Sequence, residues 1–154
     1  MLDLLGEYDC KMDAKGRFML PSGLKKQMAD VAHQGFVINR DVFRPCLSLY
    51  PRPEWESTMK MVRRLNRFVE KNMEFIRRFT SGATPLELDP AGRLLMPKAL
   101  IDHAGKGREL KLVGIGDRVE VWTKEAYLNM LREQVDLTAL AEDVMGSLGN
   151  EDGQ

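Results

Sequence analysis

The chain has 154 residues, 44% hydrophobic and 30% charged, with 23 basic residues balanced by 23 acidic ones. That is enough to bury one core or two very small ones, in a composition ordinary for globular proteins. No apolar run approaches the roughly 18 residues a membrane span needs, which excludes an α-helical membrane protein.

Taken in chain order, Glu7 to Met12 alternates as a half-buried strand. Asp13 to Gly16 predicts a turn, since Asp bonds its own backbone onward and Gly supplies positive φ. Arg17 to Leu20 then returns as the second strand of a hairpin. Pro21 suits the first position of a helix whose apolar residues are Leu24, Met28 and Val31, and Gly35 ends it. Phe36 to Ile38 and Leu47 to Tyr50 predict a second strand pair. From Glu54 to Phe79, Trp55, Met59, Val62, Leu65, Val69, Met73, Ile76 and Phe79 keep helical spacing and predict one buried stripe. It is either one helix or two bent near Asn66. On it, Arg77 and Arg78 are expected to pair with Glu74 and Glu70. Leu110 to Ile115 and Val119 to Trp122, joined by Gly116-Asp117-Arg118, predict two more strands. A helix should run from Thr123 to about Val135. The tail from Asp136 is acidic, lacks apolar periodicity and is expected to be mobile.

An internal repeat organises these elements. Asp13-Ala14-Lys15-Gly16-Arg17-Phe18-Met19-Leu20-Pro21 returns 76 positions later as Asp89-Pro90-Ala91-Gly92-Arg93-Leu94-Leu95-Met96-Pro97. Leu49-Tyr50 and Trp55 return 72 positions later as Val121-Trp122 and Tyr127. Two blocks repeated in the same order indicate a duplication. The division that follows is module one over 6–53, a helical connector over 54–80, module two over 83–126, and a C-terminal helix with acidic tail over 127–154.

Chemistry is sparse. Cys10, Cys46, His33 and His103 form no CxxC or HxxxH spacing, so neither a metal nor a cofactor is expected. The cysteines read as reduced and packed in or near the core. Met1 to Glu7 lacks the basic flank and long apolar region of a signal peptide, which makes the cytoplasm the expected compartment. The charge distribution says more than the net value. Beyond Arg132 lie six acids and no Lys or Arg, so residues 1–132 carry 23 bases against 17 acids, a net of +6. A mildly basic body with an acidic tail is compatible with DNA binding.

Gly6-Glu7-Tyr8, Asp13-x-Lys15-Gly16-Arg17, Leu47-x-Leu49-Tyr50-Pro51, Trp55, Phe79-x-Ser81-Gly82-Ala83, Asp89-x-x-Gly92-Arg93, Leu112-Val113-Gly114 and Val121-Trp122 together resemble the MraZ family. The resemblance covers about residues 4–132. It implies an α+β fold of two tandem, pseudo-symmetric AbrB-like swapped-hairpin modules forming a small barrel, with connecting and C-terminal helices. It further implies a nucleoid-associated transcription regulator, not an enzyme, which assembles as a homo-oligomeric ring. Its site would be the promoter of a cell-division and cell-wall gene cluster.

The residues supply a physical account beside that resemblance. A hairpin tip is small enough to enter a major groove. Arg17, just past the turn, can fork onto a guanine edge or a phosphate, while Lys15 and Lys11 suit phosphate contacts. Asp13 and Gly16 shape the loop. The competing reading is that Asp13 with Arg17, and Asp89 with Arg93 around Gly92, only brace their hairpins; exposed pairs contribute just about 0–1 kcal/mol. For Arg93 both readings stay open, because Ala91 replaces the lysine and Pro90 stiffens the loop. Arg63, Arg64, Arg67, Lys71, Arg77 and Arg78 read as a solvated face or a subunit contact. Two other classes compete with a regulator that binds double-stranded DNA at short direct repeats. One is an AbrB-like antitoxin or protein-binding scaffold. The other is a carboxylate-pair enzyme, which would need Asp13 and Asp89 at hydrogen-bonding distance.

Overall fold

Strand pairing mirrors the duplication. In a computed structural model, residues 2–152 are described, the side chains of 150–152 excepted. The first copy supplies β1 (Glu7–Lys11), β2 (Arg17–Met19), α1 (Ser22–Gln27), a 3-10 turn (Ala32–Gln34), β3 (Phe36–Arg40) and β4 (Leu47–Pro51). Helices α2 (Arg52–Arg63) and α3 (Glu70–Thr80) connect it to the second copy. There β5 (Thr84–Leu86), β6 (Arg93–Leu95), α4 (Lys98–Ala104), β7 (Glu109–Gly114), β8 (Val119–Thr123) and α5 (Lys124–Leu131) follow, before a final α6 (Leu137–Asp152).

Six strands form one antiparallel sheet in the order β1-β7-β8-β4-β3-β5, and β2 pairs with β6 in a separate two-stranded ribbon. Exchanging the copies reverses the six-strand order onto itself. The registers obey the same symmetry, since Phe18 faces Leu94 and Ser48 faces Glu120 at the centres of the two inter-copy pairs. Tyr50 meets Trp55 edge-on at 5.3 Å, and Trp122 meets Tyr127 edge-on at 5.8 Å. The mixed α+β class thus stands, but the sheet is open: β1 and β5 are its edges, and no closed barrel forms among the described residues.

The predicted hairpin of β1 with β2 needs correction. The turn closes, with Asp13 N–H donating to Arg17 O at 2.8 Å, and Met12 bridges Phe18. The strands then part, β1 to β7 and β2 to β6. Turn chemistry fixes where a chain reverses, whereas long-range partners are chosen by burial. Phe18 is 1% exposed and Leu94 0%, and both point into a core that holds Leu24, Met28, Leu49, Leu100, Leu112 and Val121. Completing that core takes side chains from both copies, which favours exchange over two separate hairpins.

Other expectations are resolved or revised. Of the two alternatives for the connector, the structure has the pair of helices. Asn66 breaks it, its Oδ1 accepting from Phe68 N–H at 2.9 Å while its carbonyl accepts from Asn72 Nδ2 at 3.0 Å. Its stripe is only partly covered: Val62 and Ile76 are buried, but Val69 is 40% exposed. Arg77 and Arg78 both pair with Glu74. Glu70 lies two helical turns from Arg78, too far to serve it. The tail forms α6, started by Asp136 Oδ1 accepting from Ala139 N–H at 3.1 Å. Composition hid a spacing, Leu137, Leu140, Val144 and Leu148, that is helical. Residues 153–154 of the tail lie outside the described residues.

One glycine is irreplaceable for a steric reason. A Cβ on Gly114 would stand 2.7 Å from Leu5 N and 2.8 Å from Leu4 C. Leu4, 1% exposed, is tied to Gly116 by backbone bonds of 2.8 and 2.9 Å. Gly114→Ala is expected to lift this N-terminal segment and cost about 1–3 kcal/mol in a urea titration; an unchanged midpoint would contradict the packing.

Candidate nucleic-acid interface

Each Asp-x-x-Gly-Arg loop is a clamp built from its own residues. Asp13 Oδ1 accepts from the N–H groups of Lys15 and Arg17, both at 2.9 Å, and Oδ2 accepts from Arg17 Nε at 2.8 Å. Asp89 repeats this with Ala91 N–H and Arg93 N–H at 2.9 Å and Arg93 Nε at 2.8 Å. Gly16 and Gly92 turn the chain at φ of +88° and +83°, a region costly for a side chain. Their carbonyls also fasten the ribbon, Gly16 O accepting from Met96 N–H at 2.8 Å and Gly92 O from Leu20 N–H at 3.2 Å.

The aspartates are held ionised. Backbone N–H bonds from Arg17 and Arg93 are the largest influence, and the two guanidiniums add to it, keeping both carboxyls below the ordinary aspartate range. A depressed folded-state pKa stabilises the loops fully above about pH 4, where an unfolded aspartate ionises, and the contribution is lost as pH falls through the lower folded value. Carboxyl resonances of Asp13 and Asp89 should therefore titrate with midpoints below about 3.9; midpoints at or above that value would mean the clamps are not formed. The carboxylate-pair chemistry lacks its requirement, because the antiparallel β2–β6 register sends the two loops to opposite ends of the ribbon. Each aspartate bonds only its own loop among the described residues.

Clamping leaves the arginines useful. Only Nε of each guanidinium is engaged, so the Nη groups have no protein partner among the described residues. Alternation along β2 and β6 sends Phe18 and Leu94 inward and leaves Arg17, Met19, Arg93 and Leu95 on the outer face. Met19 is 50% and Leu95 54% exposed there. The result is a narrow ribbon with a fork of N–H donors on each strand, diagonally placed across apolar side chains.

The lysines separate. Lys15 is exposed on the first loop beside Arg17. Lys11 sits on β1 opposite Glu109, so an acid stands across the strand from it. Lys25 was missed. Its Nζ lies 3.4 Å from where a Cβ on Gly92 would stand, so α1 of the first copy brings a cation to the second loop. Ala91 therefore does not leave Arg93 without basic company. No sequence signal marks Lys25, because the contact depends on strand exchange.

One further cluster is invisible in the sequence. Asp41, Cys46 and Glu120 converge with ligand-type atoms within 4.8 Å of one another. Burial first, then the carboxylates of Glu120 and Asp41, push the Cys46 thiol well up, so it stays protonated at neutral pH. The carboxylates already have donors. Asp41 Oδ2 accepts from Phe43 and Arg44 N–H at 3.0 and 2.9 Å, and Glu120 Oε1 accepts from Trp122 Nε1 at 3.1 Å. The group reads as the brace of the β3–β4 turn. Both cysteines are free, and the Cys10 thiol donates to Met19 O at 3.1 Å.

Fold and site define a duplicated, strand-exchanged α+β protein that presents a two-stranded ribbon with an Asp–Arg clamp at each end. Comparison with known proteins places it more narrowly. A family model described as "MraZ protein, putative antitoxin-like" matches residues 4–77 and 79–147. A protein of Christiangramia forsetii named "Transcriptional regulator MraZ" is 51% identical over 148 residues, 96% of each chain. One of the same name from Flavobacterium psychrophilum is 43% identical over 153 residues, 99% of this chain and 98% of its own. A solution structure of PHS018 from Pyrococcus horikoshii matches at a TM-score of 0.33 and 15% identity, covering 77% of this chain and 88% of that one. The chain belongs to the MraZ family.

Proposed function

We propose that this protein is a sequence-specific DNA-binding transcription regulator that reads short direct repeats with the outer face of its β2–β6 ribbon. It acts at the promoter of a cell-division and cell-wall gene cluster, as a ring of identical subunits associated with the nucleoid. The observation that carries the reading is the pair of clamped arginines. Asp13 and Asp89 each engage Nε of a guanidinium and leave its Nη groups without a protein partner among the described residues. A planar fork held this way suits guanine O6 and N7 or a phosphate, and a two-stranded ribbon fits a major groove about 12 Å wide. Lys15 and Lys25 would supply phosphate contacts that set position. The names of the relatives, transcriptional regulators along nearly their whole length, support the same conclusion.

A gel-shift assay on DNA from immediately upstream of the protein's own gene tests the reading. Binding should be selective over unrelated DNA and should weaken when half a helical turn is inserted between repeats, because subunits of one ring face the duplex in fixed register. Indifference to the insertion would remove the direct-repeat geometry. Absence of selective binding at low salt would remove the regulator.

A further inference from the structure

Every residue of α6 from Leu137 to Gly149 is exposed. Leu137, Leu140, Val144 and Leu148 line one stripe of it, each at least 47% exposed. Such a helix does not hold itself together in water. It has 16 residues, includes Gly146 and Gly149, and has no Lys or Arg to pair with its acids. Isolated helices of that length are marginal even with good helix formers. The stripe therefore calls for a surface.

A matching surface lies on α3. Phe75, 44% exposed, stacks on Phe79 at 5.4 Å and, with Val42, lines a cleft of about 390 Å³ whose charged edge holds Arg40, Lys71 and Arg78 beside Asp41 and Glu74. Phe68, just before α3, is 99% exposed. Among the described residues, none of α6 lines that cleft in its own chain. Helix α3 has 11 residues, and the stripe from Leu137 to Leu148 covers as many helical steps. At about 1.5 Å per residue, each runs for about 16 Å. The charges are complementary. Residues 60–78 carry seven bases and two acids, whereas residues 133–152 carry six acids and no base. Pairing two α6 helices would instead set acids against acids, which argues against a second α6 as the occupant.

We propose that α6 of one copy docks its apolar stripe along the α3 face of a neighbouring copy. The inference rests on the reading of the chain as an oligomer, and it names the contact. Donor helix and acceptor face are different surfaces, so the contact is head-to-tail, the kind that closes into a ring when the rotation permits.

The test is a full-length double variant, Leu140→Cys with Phe75→Cys, under mild oxidation, beside each single variant. The proposal expects a ladder of disulfide-linked oligomers from the double variant and none from either single one. Cross-linking by Leu140→Cys alone would show α6 pairing with itself, and a cross-link confined within monomers would show docking in its own chain; either overturns the proposal. Light scattering of the native chain against a form ending at Gln134 adds a second readout. The shortened form should lose the higher mass of the native protein while its circular dichroism still shows a folded body. A native oligomer unaffected by the shortening would overturn the docking and leave the oligomer standing. A native protein that is monomeric would remove both.

Discussion

Phe18→Ala is expected to destabilise the protein by about 3–5 kcal/mol, the largest effect of any single substitution considered. Phe18 is 1% exposed, faces Leu94 across the centre of the β2–β6 ribbon, and fills the core shared by the two copies. Shortening it removes most of an aromatic side chain where strands from both copies meet, so neighbours cannot close the space without moving both loops. Chemical denaturation measures the loss, and amide exchange should show both loops opening more readily together. A loss below about 1 kcal/mol would mean that the ribbon is not the junction of the two copies.

Arg17→Ala is expected to lower affinity for the protein's own target DNA by about 1–3 kcal/mol, roughly 5- to 150-fold, while folding stability changes little. The side chain is a third exposed and paired with Asp13, a setting in which ion pairs contribute about 0–1 kcal/mol to folding. Arg17→Lys should fail to restore selectivity, because an ammonium keeps the charge but loses the planar fork. Lys15→Ala should behave differently, weakening all DNA alike and reducing the salt dependence by about one ion. If Arg17→Ala acted in the same uniform way, Arg17 would be a phosphate contact and the base-reading role would belong elsewhere.

Local chemistry was legible in the sequence wherever one short segment determines the outcome. Asp13 and Gly16 mark a turn, and the structure closes it with the bonds such residues make. The repeat of Tyr50 and Trp55 in Trp122 and Tyr127 reports a packed aromatic pair in each copy. Asn66 marked the possible break, and its side chain makes it. What could not be read was partnership over distance. Alternation in β1 says that one face is buried but not that β7, a hundred residues on, will bury it. Lys25 reaches the second loop only because the strands exchange. The helix of the tail was hidden for another reason: among small and acidic residues, the stripe that makes it helical is four residues in 16.

Fluorescence anisotropy, comparing the native protein with the Arg17→Ala, Arg93→Ala double variant on DNA from the protein's own upstream region, tests the central claim most directly. At low and at moderate salt the native protein should bind this DNA selectively and lose affinity as salt rises. The double variant should lose that selectivity while keeping its fold and oligomeric mass. Selective binding that survives in the double variant would contradict the assignment of the ribbon face as the reading surface.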